Sequence, residues 1–293
     1  FLDRFKIQNV FVDQLRFDVQ TILSSFAQKK KYDVILVPHG SLSIPNNKVT
    51  SFIYSICGKG LLFSNLATHV VSQTKISFES IKYYNKNLKI LKSNKIMFGE
   101  NNIEKKAKDK TNKIFLHAST PKSLYKWPWI HEVYSEYIEN IKYLINSLNK
   151  HNNVKLIIRY RESAECSLEK FKEILDLDKY EFVELSKNKK FIDDLSISDY
   201  LISYSSTVIE EALSYDKPVI IYSGKKDYKH INYNLKSKDS IYFLNESNVK
   251  ESLNSIIKNE DKDIDNNINW SEEDLFDNSL HTYLNKKDNH FTV

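Results

Sequence analysis

The stretch YLISYSSTVIEEALSYDKPVIIY, residues 200 to 222, sets a cluster of three hydroxyls and a pair of glutamates between two apolar runs. Ser205, Ser206 and Thr207 follow a run with strand character, and 207–215 has the spacing of a helix packed on a sheet. Two kinds of chemistry fit this order. Thr207 and Glu210 have capping-box spacing, in which each side chain satisfies a backbone N–H at the helix start. Ser205 and Ser206 lie ahead of that cap, where hydroxyls and unpaired N–H groups suit phosphate oxygens. Three further loops follow predicted strands and carry useful groups. Arg159-Tyr160-Arg161 sets two guanidinium groups at alternate positions, on one side of an extended segment, which suits a dianion. Ser119-Thr120 offers hydroxyls. His39 sits between Pro38 and Gly40, ahead of Ser41, where a sharp turn off a strand would expose it as a general base.

The elements that must position these loops read as α/β units with parallel strands, because short β-rich apolar runs alternate with helical periodicity. In the first half, strands are predicted over 32–37, 69–73 and 95–98, with a helix over 75–84. The charged, aperiodic 100–113 reads as a linker. In the second half, strands are predicted over 113–118, 154–158, 180–185, 199–203 and 218–222, and helices over 130–148, 167–175 and 207–215. Ile130, Val133, Tyr137, Ile141, Leu144 and Leu148 share one face of the first of these helices. Five strands with intervening helices make a doubly wound sheet, whose ligands bind beyond the carboxyl ends of the strands. The polar, Asn-rich 259–277, with Trp270 and Phe276 as isolated anchors, is expected to be a tail or a helix docked on the first domain. The expected domains are therefore 1–110 and 111–258, followed by the tail 259–293.

Composition narrows the function. Hydrophobic residues make up 41% of the 293 and charged residues 28%, as in a folded soluble protein. The net charge of +5 is spread among interleaved lysines and acids, which favours a small anionic ligand or a membrane surface over nucleic acid. Cys57 and Cys166 have no CxxC spacing, so a reducing, cytoplasmic setting is expected. No apolar run is long enough to span a membrane and the amino end has no signal pattern. Asp176-Leu177-Asp178 reads as a solvated turn rather than a metal chelate, and Gly58-Lys59-Gly60 lacks the rest of a dinucleotide or P-loop fingerprint. HExxH, GxSxG and the kinase motifs are absent. No metal site is suggested. Trp127 and Trp129 are read as a peripheral membrane contact, a solvated face or a buried pair.

A strand ending in His-Gly, a positive loop after a middle strand and the segment SDYLISYSSTVIEEALSYDKPVIIY together resemble a family. They are similar to bacterial surface-polysaccharide transferases of the GT-B fold, nearest the capsule and teichoic-acid group with the CDP-glycerol glycerophosphotransferases, and further from the Kdo and sialic acid transferases. That resemblance implies two Rossmann-like doubly wound parallel-sheet domains. The first is read as truncated, because the chain begins at Phe1 and its first half is short. It implies that Ser205, Ser206 and Thr207 hold the donor phosphates, helped by Ser119, Thr120, Arg159 and Arg161, with Glu210 or Glu211 at the ribose or sugar. It places His39, with Gly40 and Ser41, on the acceptor side as the base. The implied activity needs no metal or cofactor, its donor being a CMP-, CDP- or UDP-activated substrate and its acceptor a glycan or lipid-linked hydroxyl. Where relatives commonly carry a basic residue followed by His-Pro, this chain has Arg159-Tyr160-Arg161, which cannot supply an acid. Two other readings remain: an inactive GT-B scaffold of a larger assembly, and a nucleotide-sugar 2-epimerase, which needs more carboxylates near the sugar than Glu210 and Glu211.

Overall fold

The computed structural model describes residues 8–43, 48–84, 88–93, 96, 111–121, 132–162, 166–226, 241–258 and 279–288. They fall into two compact units, one of residues 8–96 and 279–288 and one of residues 111–226 and 241–258. In chain order the first holds β1 (Asn9–Val12), α1 (Asp18–Lys29), β2 (Asp33–Leu36), α2 (Lys48–Gly58), β3 (His69–Ser72), α3 (Lys75–Tyr84) and β4 (Lys89–Lys92). The second holds β5 (Lys113–Ala118), α4 (Tyr134–Leu148), β6 (Val154–Arg159), α5 (Leu168–Leu175), β7 (Val183–Leu185) and α6 (Phe191–Ile197). It continues through β8 (Tyr200–Ser203), α7 (Val208–Leu213), β9 (Val219–Tyr222), β10 (Ile241–Leu244) and α8 (Val249–Lys258). The last helix, α9 (Ser279–Asp288), returns to the first unit.

Both sheets are wholly parallel. The first runs β1-β2-β3-β4, and this one-way order of right-handed crossovers puts α1, α2 and α3 on one face. There Ala27 and Ile81 pack on Val10, Val12, Val34, Leu36 and Val70. The alternate residues Ile35, Val71 and Leu91 point the other way and receive Leu280 of α9. Ser279 Oγ accepts the Lys92 N–H at 2.7 Å, and the Tyr283 hydroxyl donates to Asp33 while its ring lies 4.7 Å from that of His69.

The second sheet runs β10-β9-β8-β5-β6-β7. Phe115, Leu156, Ile158, Ile202 and Ile220 face α4, α5 and α8, where Tyr137, Ile141, Leu144, Phe171 and Leu253 complete the larger core. The opposite parity, Leu116, Ile157 and Leu201, is equally buried, as a sheet covered on both faces requires. Ser167 caps α5 by accepting the Lys170 N–H at 3.3 Å, and Asp176 closes that helix in the left-handed region at φ 50°. Asp176 pairs with Lys179 at 2.9 Å, so this acid closes a helix.

Several elements depart from the sequence reading. β1, α1, α2, β4, α6, β10 and α8 are not among the predicted elements. The predicted strand 95–98 lies outside the described residues except for Ile96, as do linker residues 101–110, Trp127, Trp129, Ile130 and the tail 259–277.

Because Leu280 is 7% exposed and packs on Ile35, Val71 and Leu91, Leu280→Ala should lower the stability of the first unit by about 2–3 kcal/mol. Urea unfolding followed by far-UV circular dichroism reads this as an earlier first transition.

Candidate functional site

The chain builds β6 and β7 on one side of β5, then returns to add β8, β9 and β10 on the other. The crossovers diverge between β5 and β8, and an open parallel sheet leaves a crevice at the carboxyl edge of such a switch point. The register pairs Phe115 with Tyr200 and His117 with Ile202, so Ser119-Thr120 and the loop from Ser203 to Thr207 leave the sheet side by side. Asp199 helps fix this pairing by accepting the Ile114 N–H at 2.9 Å, while Ser198 is fully buried and donates to the Leu195 carbonyl at 3.0 Å. The first two residues of the SDYLIS motif are thus structural.

The hydroxyl loop is built differently from a capping box. Thr207 is helical in conformation, φ −61° and ψ −19°, and its side chain accepts no cap bond. Ser206 opens the turn instead: its carbonyl accepts the Ile209 N–H at 3.1 Å and its Oγ accepts the Val208 N–H at 3.4 Å. The expected Thr207–Glu210 box is therefore replaced, and Glu210 is 2% exposed. Among the described residues no backbone acceptor faces the N–H groups of Ser206 or Thr207. Ser205, Ser206 and Thr207 are half-buried, and Ser203 Oγ behind them is fully buried without a partner among the described residues.

The arginine pair is also corrected. β6 ends at Arg159, so strand parity no longer governs Arg161, which is exposed. Arg159 turns to the loop before α6. Its Nη1 donates to Asp194 at 2.6 Å and to the Asn188 carbonyl at 3.0 Å, and Nη2 donates to the Lys189 carbonyl at 2.8 Å. Asp194, buried, also accepts from Ser186 at 2.5 Å and from Asn188 at 2.7 Å. Tyr160 between the arginines packs inward, stacked 3.9 Å from Phe171. Burial raises the half-buried Glu211 carboxyl above its usual range, and the charge of Arg159 partly offsets that.

Beside Ser119 lies a carboxylate that the sequence reading did not include. Glu132 is 3% exposed and accepts from Ser119 Oγ at 3.2 Å and Asn140 Nδ2 at 2.6 Å. Burial pushes its pKa up to about 7 against these bonds. Gly224 follows β9 at φ +59°, and a Cβ there would stand 2.0 Å from Asn140 Oδ1, so the glycine makes room for the amide that holds Glu132. Tyr137 and Tyr222 feel the Glu132 charge, and their buried hydroxyls have no partner among the described residues. His117, on β5 against the Tyr137 ring, is buried and lowered to about 4 by desolvation. Its only sequence signal was a polar residue inside an apolar run, and Glu132 had none beyond an acid ahead of a helix.

In the first unit, His39 is exposed in the loop after β2, beside buried Gly40 and Ser41. That loop is anchored by Gln73 Nε2 donating to the Pro38 carbonyl at 2.7 Å and by Ser80 Oγ bonding both the N–H and the carbonyl of Leu42. Among the described residues, no group of three or more His, Cys, Asp or Glu side chains could hold a metal ion, and no helix is long and apolar enough to cross a membrane.

No family model matches the chain, and no curated protein matches it. Solved structures do. A Listeria monocytogenes protein assigned as a UDP-N-acetylglucosamine 2-epimerase is 14% identical with a TM-score of 0.59, the match covering 99% of this chain and 76% of that one. S. aureus MnaA, solved with UDP, is 14% identical at 0.58, covering 100% and 77%. Sucrose-phosphate synthase from Thermosynechococcus elongatus is 10% identical at 0.57, covering 100% and 76%. With two parallel Rossmann-like units, the fold is GT-B-like.

Two predictions follow from this geometry. Arg159→Ala strips a buried carboxylate of its cation but leaves it two neutral donors, so it should cost about 2–4 kcal/mol of stability in urea unfolding, and Arg159→Lys less. Glu132 ionises near 4.5 when unfolded and near 7 when folded, so its stabilising contribution is full below pH 4.5 and lost as pH rises through 7. His117 acts oppositely, its contribution being lost as pH falls from 6.5 to about 4. Each spans on the order of 3 kcal/mol. Glu132→Gln should therefore leave a urea midpoint that climbs from pH 4 to 6.5, where the wild type is flatter; identical profiles would contradict the assignment.

Proposed function

We propose that this chain is a GT-B enzyme acting on a nucleotide-activated sugar or polyol, with the nucleotide phosphates held at the β5/β8 switch point of the second unit. The observation that carries this is the switch point itself, where Ser119-Thr120 and Ser205 to Thr207 are brought together at the carboxyl edge. The phosphates would take the N–H groups and hydroxyls of Ser206 and Thr207, with Glu211 at the ribose or sugar. Arg161, being exposed, supplies the mobile cation, while Arg159 positions the loop before α6. The UDP bound by S. aureus MnaA supports a nucleotide ligand.

The reaction we favour is transfer to a glycan or lipid-linked hydroxyl, as in cell-surface polysaccharide synthesis. The acceptor oxygen attacks the activated carbon or phosphorus, the nucleotide leaves with the bonding electron pair, and exposed His39 takes the acceptor proton. A second reading has a specific observation behind it. A 2-epimerase needs a carboxyl that can both give and take a proton near neutral pH, and Glu132 at about 7 is such a group. The similar Listeria monocytogenes structure is itself assigned as a UDP-N-acetylglucosamine 2-epimerase.

Calorimetric titration with CMP, CDP, UDP and GDP should find one clear binder, and Ser206→Ala should weaken it by roughly 10- to 150-fold through a lost hydrogen bond to a charged group. Unchanged affinity in Ser206→Ala and Arg161→Ala would remove the site. With a donor identified, release of free nucleotide that depends on acceptor and is lost in His39→Ala marks a transferase. Conversion of the donor to its 2-epimer without acceptor, lost in Glu132→Gln, marks an epimerase.

A further inference from the structure

The first unit has two very different faces. Where α9 covers the sheet, Ile35, Val71 and Leu91 are sealed by Leu280. On the other face the outward sides of α1 and α2 are apolar. Val19, Ile22 and Phe26 recur at i, i+3 and i+7 of α1 with 76, 68 and 42% of their surface exposed. Val49, Phe52 and Ile56 repeat that spacing on α2 at 71, 67 and 46%. Phe17, at the start of α1, is exposed as well. The two helices adjoin where α1 begins: the Leu15 N–H donates to the Gly60 carbonyl at 2.6 Å and Arg16 Nε to the Lys59 carbonyl at 3.3 Å, just past the end of α2. Soluble surfaces scatter such residues singly, whereas here six of them stand in two regular stripes on helices that meet at one end.

Charge selects the occupant. Lys29, Lys30 and Lys31 close α1, Lys48 and Lys59 bracket α2, and Arg16 stands between the helices; all six are exposed. Lys30 reaches over the Phe26 ring at 5.7 Å, the posture of a cation whose stem covers apolar surface. The exposed acids of this stretch are Asp13 and Asp18. Apolar stripes rimmed by lysines match a helix lying in the interfacial plane of an anionic bilayer, its apolar side in the acyl boundary and its cations at the headgroups.

We propose that the outward faces of α1 and α2 form a docking surface for an anionic lipid bilayer. It stands on the first unit alone and does not depend on the nucleotide reading.

The full chain should co-sediment with sucrose-loaded vesicles of phosphatidylcholine containing about a third phosphatidylglycerol, and much less with pure phosphatidylcholine or at high salt. The pair Ile22→Glu with Phe52→Glu should weaken sedimentation by about tenfold or more with the urea midpoint unchanged, since both side chains are already in water. If that pair unfolds, Lys29→Glu, Lys30→Glu and Lys31→Glu together decide, removing the preference for anionic vesicles. Failure of the wild type to sediment, or equal binding by the folded variants, overturns the proposal. So does a concentration-dependent dimer without vesicle binding, which would give the face to a second copy of the chain.

Discussion

The carboxyl edge of the second sheet depends on one pairing, that of β8 against β5. Parallel strands buried on both faces carry little register information in their apolar pattern, because a slip exchanges one apolar residue for another. Here the register is set by particular contacts. Asp199 accepts the Ile114 N–H ahead of the ladder, and the Phe115 and Tyr200 rings stack at 5.5 Å within it. A slip would leave the half-buried Ile114 N–H without an acceptor and part the rings. With the register fixed, Ser119 and Ser203 to Thr207 leave the sheet together, and the switch point acquires its hydroxyl lining.

The same edge buries two carboxylates and treats them in opposite ways. Asp194 has a guanidinium at 2.6 Å and two neutral donors, so its charge is neutralised locally and holds the loop before α6 against β6. Among the described residues Glu132 has the neutral donors Ser119 and Asn140 alone, the nearby Lys226 being paired with Glu136 at 2.7 Å. Hydrogen bonds alone do not offset the loss of water around a full charge, and the proton stays on to near neutrality. One group therefore acts as a structural anion and the other as a proton reservoir beside the candidate site. Gly224 belongs to the second arrangement, since any side chain there would displace Asn140.

The sequence made the α/β class and most of the second sheet legible, because 113–118, 154–158 and 218–222 are short runs dominated by apolar residues between polar turns. It hid elements with weak patterns: β4 is two apolar residues, Ile90 and Leu91, bracketed by lysines, and β10 is four residues long with Phe243 exposed. At the site it located the loops but misassigned two roles. Alternation at Arg159 and Arg161 holds only while a chain stays extended, and β6 stops at Arg159. Thr207 has the right neighbours for a cap, yet a cap residue needs extended dihedrals, and the turn had already begun at Ser206. Glu132 was illegible for a different reason: its unusual protonation comes from burial among residues 13 positions before it and 8 after, and no local spacing encodes that.

The helices of the first unit show what periodicity can and cannot say. In α4 the residues at i, i+4, i+7 and i+11, Tyr137, Ile141, Leu144 and Leu148, form the face turned to the sheet. In α1 and α2 an equally regular series, at i, i+3 and i+7, is the face turned away from it. The fully buried positions of α1 are the small Ala27 and Ser24, with Leu23 packed beside them, against a four-stranded sheet whose own valines fill the core. An apolar stripe thus records that a helix has an apolar neighbour, and the topology decides on which side that neighbour lies. Where the sheet has already claimed the small side of the helix, the large side is left for something else to cover.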